Sequence, residues 1–252
     1  MGAVTQRRSI AKKSITSTPV VVPIPWTPLD SGILAAWYDP SDDANLIFSG
    51  AEIIGATDLS GNGLNMGITG VGTLLRGTIN GVQSIAHNSE NRALSRAAFT
   101  AAGGYFCTFD SDVDTGYMPL AAGNNTTHYD AFALSGNAST LTASGVTRAN
   151  LYADGVALAA LPTRGQIYTA FTGKRILYAQ TDLPGAWTAI SPFGYNNLAI
   201  YALSGQEGEV IFLTSVPITA MRQKFEGYLA HKWGMAGNLD AAHPYKITAP
   251  TV

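Results

Sequence analysis

Turn signals interrupt the chain at short intervals between residue 32 and about residue 216. Clusters of Gly, Asn, Asp and Ser separate short apolar runs at residues 58–63, 80–81, 103–104, 123–125, 135–137 and 154–155. Such spacing is typical of an antiparallel sandwich or barrel and not of strands that alternate with helices. Hydrophobic residues form 46% of the 252 residues, so the chain can bury a core of this kind.

Individual strands can be assigned within this region. Asp154-Gly155 supplies the positive φ angles of a tight turn and predicts a hairpin over residues 150–158. The apolar run at residues 208–213 is suited to a central strand. Cys107, the single cysteine, lies in the apolar run 105–109, so it predicts a buried structural thiol and excludes an intrachain disulfide.

One segment near the C-terminal end has a helical pattern. Met221, Phe225, Leu229 and Trp233 recur every fourth residue and predict one apolar helix face over residues 219–233. Thr219 follows Pro217 and is suited to cap this helix, and Gly234 is placed to end it. The stripe predicts packing of the helix against the sandwich.

The first 30 residues differ from the rest in charge and in proline content. Residues 1–29 carry four basic residues and no acidic residue, whereas the remainder has a net charge of −6. Prolines favour an extended backbone without sheet hydrogen bonds. We therefore expect two parts: an extended basic arm over residues 1–30 and a folded domain over residues 31–252. The residues expected to dock the arm on another protein are Arg7, Arg8, Lys12, Lys13 and Trp26.

Several segments together resemble a known domain family. They are residues 36–42 (AWYDPSD), 58–63 (DLSGNG), 208–213 (GEVIFL), 222–234 (RQKFEGYLAHKWG) and 243–245 (HPY). In this order they resemble the laminin-G-like, concanavalin A-like jelly-roll domains of phage decoration or tail proteins and of bacterial surface proteins. The resemblance extends over residues 33–246. Within residues 85–200, however, only the general pattern of short apolar runs separated by turn residues is similar.

The resemblance implies a two-sheet antiparallel jelly-roll sandwich whose first and last strands are adjacent. With the helix and the arm, the expected fold class is all-β with one short C-terminal helix and an extended N-terminal arm. No single activity follows, because this fold carries lectins, adhesion modules, glucanases and inert spacers.

The sequence contains only weak matches to known catalytic motifs. Glu207 and Glu209 come closest to the paired carboxylates of a glycoside hydrolase, but no third acidic residue follows at the required spacing, so we interpret them as the polar start of a strand. The four histidines show no metal-ligand spacing, and no nucleophile elbow or phosphate-binding loop is present.

Two acidic clusters are metal candidates. Asp110, Asp112 and Asp114 alternate as at the start of a calcium loop, but a glycine falls at the seventh position and Ala121 occupies the twelfth. Calcium is therefore the one cofactor that the sequence suggests, and a solvated acidic loop is the competing interpretation. Asp39, Asp42 and Asp43 form the second cluster, for which turn capping is the competing interpretation.

A glycan site is the third candidate. Sugars stack on aromatic rings and accept hydrogen bonds from amides, and both groups occur at Trp187, Tyr195, Asn196 and Asn197. The competing interpretation is that these aromatic residues are buried in the sandwich.

These observations lead to one expected function and one alternative. We expect a non-enzymatic phage virion structural protein, such as a capsid decoration or cement protein, which is assembled in the bacterial cytoplasm and held by its arm to a major capsid or tail protein. Lattice symmetry favours a homo-oligomer such as a trimer. The alternative is a carbohydrate-binding or adhesin module of a tail fibre that contacts a host glycan. A net charge of −2 argues against bulk nucleic-acid binding, and no apolar run is long enough to span a membrane.

Overall fold

The computed structural model describes residues 23–88, 92–97, 99, 101–111, 118–119, 122–123, 133–134, 150–159, 162–180, 189–191 and 204–252. Within these residues the strands are β1 Leu34–Tyr38, β2 Leu46–Ser49, β3 Glu52–Ala56, β4 Met66–Gly70, β5 Leu75–Ile79, β6 Val82–Asn88, β7 Arg92–Ala97, β8 Gly104–Ser111, β9 Met118–Pro119, β10 Ala122–Gly123, β11 Ala133–Leu134, β12 Leu151–Ala153, β13 Val156–Ala157, β14 Gly173–Ala179, β15 Ala189–Ser191 and β16 Ser204–Leu213. The α-helices are α1 Arg164–Phe171 and α2 Thr219–Lys232, and 3-10 helices cover Pro28–Ser31, Asp43–Asn45 and Ala236–Asn238.

Two antiparallel sheets form the body. The central sheet has eight strands in the order β13-β12-β14-β8-β16-β6-β5, with β1 also paired to β16. The outer sheet has six strands in the order β10-β15-β7-β4-β3-β2, and β9 and β11 form a separate pair. The all-β expectation is confirmed, and β1 and β16, the first and last strands described, are adjacent.

Hydrophobic clusters cover both faces of the central sheet. One cluster lies between the sheets and joins Leu46 and Met66 of the outer sheet to Phe109 of the central sheet. The other joins Phe106 of the central sheet to Phe225 and the rest of the inner face of α2. The result is three layers, with the central sheet between the outer sheet and the helix, which explains why β1 and β8 are buried along nearly their whole length.

Two tight hairpins follow the sequence prediction. Asn80 and Gly81 between β5 and β6 have φ of 51° and 82°, and Asp154 and Gly155 between β12 and β13 have φ of 51° and 83°. Positive φ at both central residues defines the turn type that matches the twist of two paired strands. The amide of Asn80 also donates to the carbonyl of Trp233 at 2.9 Å, so this turn caps the end of α2.

The predicted helix is confirmed with one correction at its start. Phe225, Leu229 and Trp233 are buried, and Gly234 ends the helix with φ of 65°. Thr219 is the first helical residue and not the cap; the cap position is Ile218, which has no side-chain acceptor. The backbone is still extended at Ile218, with φ of −63° and ψ of 157°, so the helix begins one residue earlier than the capping pattern requires.

The segment before β1 is part of the folded body from Pro25 onward. Pro25 forms a β-bridge with Thr251, and the Trp26 N–H donates to the Pro250 carbonyl at 3.1 Å. The Trp26 ring is 3% exposed and meets Phe225 edge-on at 5.0 Å. This corrects the docking role predicted for Trp26, because a ring buried in its own domain is not available to another subunit.

Strand β16 changes its partner at a β-bulge. Residues 204–207 pair with β6 and residues 210–213 pair with β1, while β8 runs along the other side. The register shifts between Glu207 and Val210, and the amide left over at Glu209 donates to the Thr108 hydroxyl at 2.8 Å. A β-bulge of this kind turns the side chains that precede it to the other face of the sheet.

Gly208 in this bulge tests the packing of the central sheet against α2. A Cβ there would lie 2.4 Å from Thr108 Oγ1 and 2.8 Å from the Trp233 ring. We expect Gly208→Ala to lower the free energy of unfolding by about 1–3 kcal/mol, the usual cost of overpacking. The measurement is chemical denaturation followed by tryptophan fluorescence.

Gly67→Ala is the matched control, because a Cβ at this strand glycine meets no atom within 4 Å. Its free energy of unfolding should stay within about 0.5 kcal/mol of the unchanged chain. Equal destabilisation by both substitutions would show that the bulge is not tightly packed.

Candidate functional site

A polar cluster forms where the segments that carry the family resemblance converge. Glu209 of β16 lies at its centre, directly after the bulge. Trp37 of β1 and Asp39 just beyond it come from the first segment, and Lys232 and Trp233 come from the end of α2. We call these five residues the Glu209 cluster.

Both carboxylate oxygens of Glu209 are hydrogen-bonded inside the protein. The indole N–H of Trp37 donates to Oε1 at 2.5 Å, and that of Trp233 donates to Oε2 at 3.2 Å. The Lys232 Nζ lies 2.7 Å from Oε2. Since Glu209 has no solvent exposure, these donors replace the water that a carboxylate requires.

Asp39 is the second acidic partner of Lys232. Its Oδ1 accepts the Ser41 amide at 3.0 Å, while Oδ2 is in direct contact with Lys232 Nζ. Only 11% of the Asp39 side chain and 22% of the Lys232 side chain are exposed. One ammonium group therefore lies between two carboxyl groups at the boundary of the core.

The environment changes the proton affinity of these groups. Burial raises the pKa of Glu209 to about 7; Lys232 opposes this increase and Asp39 adds to it. Burial lowers the pKa of Lys232, but Glu209 and Asp39 outweigh it, and the net change is upward. Near neutral pH both protonation states of the Glu209 carboxyl group are therefore populated, while Lys232 carries a positive charge.

The loop at residues 58–63 holds β1 in place beside this cluster. Asp58 Oδ1 accepts the Trp37 and Ser60 amides at 3.0 and 2.9 Å, and Oδ2 accepts the Leu64 amide at 2.9 Å. The Asn62 amide donates to the Ala35 carbonyl at 2.9 Å. These hydrogen bonds therefore hold the loop against β1 and position Trp37.

A second buried network joins α2 to the hairpin of β12 and β13. Glu226 contacts Arg222 through Oε1, and His243 Nε2 lies 3.1 Å from Oε2. Because His243 Nδ1 accepts the Tyr245 amide at 3.2 Å, its proton is on Nε2 and is donated to Glu226. A Cβ on Gly155 would approach the His243 ring to 3.0 Å, so the hairpin turn packs directly on this pair.

A third buried polar group lies between the two sheets. The Cys107 thiol donates to Glu207 Oε1 at 3.3 Å, and His87 Nε2 lies 3.4 Å from Glu207 Oε2. Among the described residues neither His87 Nε2 nor Glu207 Oε2 has a hydrogen-bond partner. Burial lowers the pKa of His87 to about 3 and raises that of Glu207 well above its usual value, so the two are a neutral pair and not a salt bridge.

The bulge separates the two glutamates that most resemble a hydrolytic pair. Glu207 contacts Cys107 in the cluster between the sheets, whereas Glu209 contacts Trp37 and Trp233 in the cluster under α2. They therefore face opposite sides of the central sheet and cannot flank one substrate bond. As interpreted from the sequence, both lie in the first part of a strand, β16, although neither is exposed to solvent.

The remaining predicted site residues fall mostly outside the described part of the chain. Asp110 lies at the end of β8, and no group of three or more His, Cys, Asp or Glu side chains among the described residues is arranged to hold a metal ion. Asp39 and Asp42 cap turns, as the amides of Ser41 and Ala44 donate to them at 3.0 and 2.9 Å. The predicted site residues that lie outside the described part of the chain are Arg7, Arg8, Lys12, Lys13, Asp112, Asp114, Trp187, Tyr195, Asn196 and Asn197.

Comparison with known proteins adds no assignment, since no protein-family model, curated protein or solved structure matches the chain. None of the helices in the described residues has the length and apolar character needed to cross a membrane.

Because His87 is buried, we expect the stability of the protein to decrease at acidic pH. Folding lowers its pKa from 6.5 to about 3, so its stabilising contribution is complete above pH 6.5 and is lost as the pH falls towards 3. We expect the advantage of the unchanged chain over His87→Gln, measured as the free energy of unfolding, to shrink on acidification by up to about 1.4 kcal/mol per pH unit.

The measurement is denaturant unfolding at a series of pH values. His231→Gln is the control for loss of an imidazole at a partly exposed position of α2. A pH-independent difference for His87→Gln would mean that His87 is not buried in neutral form.

Proposed function

We propose that this chain is a structural protein of a bacteriophage particle, with a jelly-roll domain held to neighbouring virion subunits by its basic N-terminal segment. The partner is a major capsid or tail protein, and the oligomer follows the symmetry of the particle. The domain contributes surface and stability to the assembly and not catalysis.

The observation that carries this proposal is the attachment of the N-terminal segment to the core. Trp26 is one of a series of aromatic rings with Phe225, Phe106 and Tyr178, whose successive centroids are 5.0, 4.9 and 4.5 Å apart. The Trp26 N–H donates to the Pro250 carbonyl, and the Ile24 carbonyl accepts the Val252 N–H, so this segment is bonded to the last residues of the chain. A force applied to the basic residues would therefore be transmitted to the hydrophobic core of the domain, as an anchoring role requires.

The buried polar residues are also suited to a structural role. Glu209 bonds to groups from two distant segments, and Glu226 and Asp58 each bond to one, so all three link separate parts of the fold. The pairing of β1 with β16 supports the jelly-roll topology that the resemblance implies. The alternative of glycan binding depends on Trp187 and its neighbours, outside the described residues, and stays a prediction.

Removing residues 1–22 tests the anchor without disturbing the fold. The deletion spares Pro25 and Trp26, so the thermal unfolding midpoint should not change, while the protein should no longer co-sediment with particles assembled in its presence. The readouts are differential scanning fluorimetry and quantitative mass spectrometry of purified particles.

A charge variant is the matched control for chain length. Substituting Gln for Arg7, Arg8, Lys12 and Lys13 together keeps the length and removes the charge, and it should weaken attachment if the contact is ionic. Attachment that survives the removal of residues 1–22 would exclude the anchoring role.

A further inference from the structure

The structure places one amine in contact with two carboxyl groups. Lys232 Nζ touches Asp39 Oδ2 and lies 2.7 Å from Glu209 Oε2. We propose that Lys232 and Asp39 condense to an intramolecular isopeptide bond, with Glu209 transferring the protons.

The chemistry balances without an outside reagent. The Lys232 ammonium first passes one proton to the Asp39 carboxylate, which leaves a neutral amine beside a neutral carboxylic acid. The amine nitrogen attacks the Asp39 carboxyl carbon and the N–C bond forms. Glu209 then gives its proton to the departing hydroxyl and takes one from the nitrogen, so that one water leaves and Glu209 is restored.

Glu209 has the position and the proton affinity for this transfer. It is within hydrogen-bond reach of the reacting nitrogen, which is the geometric requirement for a general acid and base. Burial raises its pKa to about 7, where both of its protonation states are populated near neutral pH. Its orientation is fixed by the indoles of Trp37 and Trp233.

The positions of the reacting groups are set by the fold and not by chance encounter. Asp39 is oriented by the Ser41 amide, which occupies Oδ1 and leaves Oδ2 for the lysine. Lys232 is on the last turn of α2 and also donates to the Tyr228 hydroxyl at 3.2 Å. Groups held in contact in this way react as if at very high concentration, on the order of 10⁵ M or more.

The surroundings favour the condensed state. Before reaction, the cluster holds an ion pair that is largely removed from water, and such a pair carries a large desolvation cost. The amide is neutral, so its formation removes both charges from the core. Trp233 has no solvent exposure and Trp37 has 7%, and these rings restrict the access of water that hydrolysis would need.

The bond would change how the domain bears tension. It would join the end of β1 to the end of α2 across a sequence separation of 193 residues. A force applied between the N-terminal segment and the C-terminal end would pass through residues 39 and 232. The residues between them would then carry no load.

Intact mass spectrometry of the denatured full chain tests the proposal directly. The unchanged protein should be lighter than its sequence by the mass of one water, and protease digestion should yield one branched peptide that contains both residue 39 and residue 232. D39N should instead lose ammonia, because the leaving group is then an amide nitrogen. K232R, D39A and E209Q should each have the full sequence mass.

K224R and D43N are matched controls, since they change a lysine of α2 and an exposed aspartate outside the cluster and should keep the loss of water. Peptide mapping is required because a succinimide at Asp154-Gly155 gives the same mass change. A chain with the full sequence mass, or with the loss located at residues 154–155, overturns the proposal even if every variant fails to fold.

Discussion

The burial of the Glu209 carboxyl group is the constraint around which the described fold is arranged. A carboxyl group without solvent must receive its hydrogen bonds from the protein, and here they come from Trp37 of the first strand and from Trp233 and Lys232 at the end of the helix. These donors come from two layers of the structure, the central sheet and the helix. Any rearrangement of β1, β16 or α2 would leave a buried charge without partners.

The β-bulge at Gly208 makes this arrangement possible. It turns Glu209 towards the helix layer and leaves Glu207 between the sheets, and it coincides with the change of partner from β6 to β1. Because glycine alone leaves room for Thr108 and the Trp233 ring, the bulge also allows the helix to approach the central sheet closely. The change of strand partner, the packing of the helix and the polar cluster therefore all depend on this one bulge.

The N-terminal segment illustrates how composition can mislead about boundaries. Its prolines and basic residues indicate an extended arm without sheet hydrogen bonds, whereas residues 24–26 form a β-bridge with the C-terminal end of the chain. An isolated tryptophan in such a segment suggests a docking residue, yet the apolar surface that it covers belongs to α2 of the same chain. Sequence cannot distinguish these outcomes, because the complementary surface exists only once the helix lies on the sheet.

Local features of the fold followed from the sequence alone because short-range physics decides them. The hairpin turns at Asn80-Gly81 and Asp154-Gly155 require positive φ, and the helix over residues 219–232 is specified by its apolar period and by Gly234. The Glu209 cluster could not be found in this way. Asp39 and Lys232 are 193 residues apart, and Glu209 faces Lys232 only because a bulge reverses the alternation of β16. Contacts over such separations are determined by strand register and layer packing, which only the tertiary structure decides.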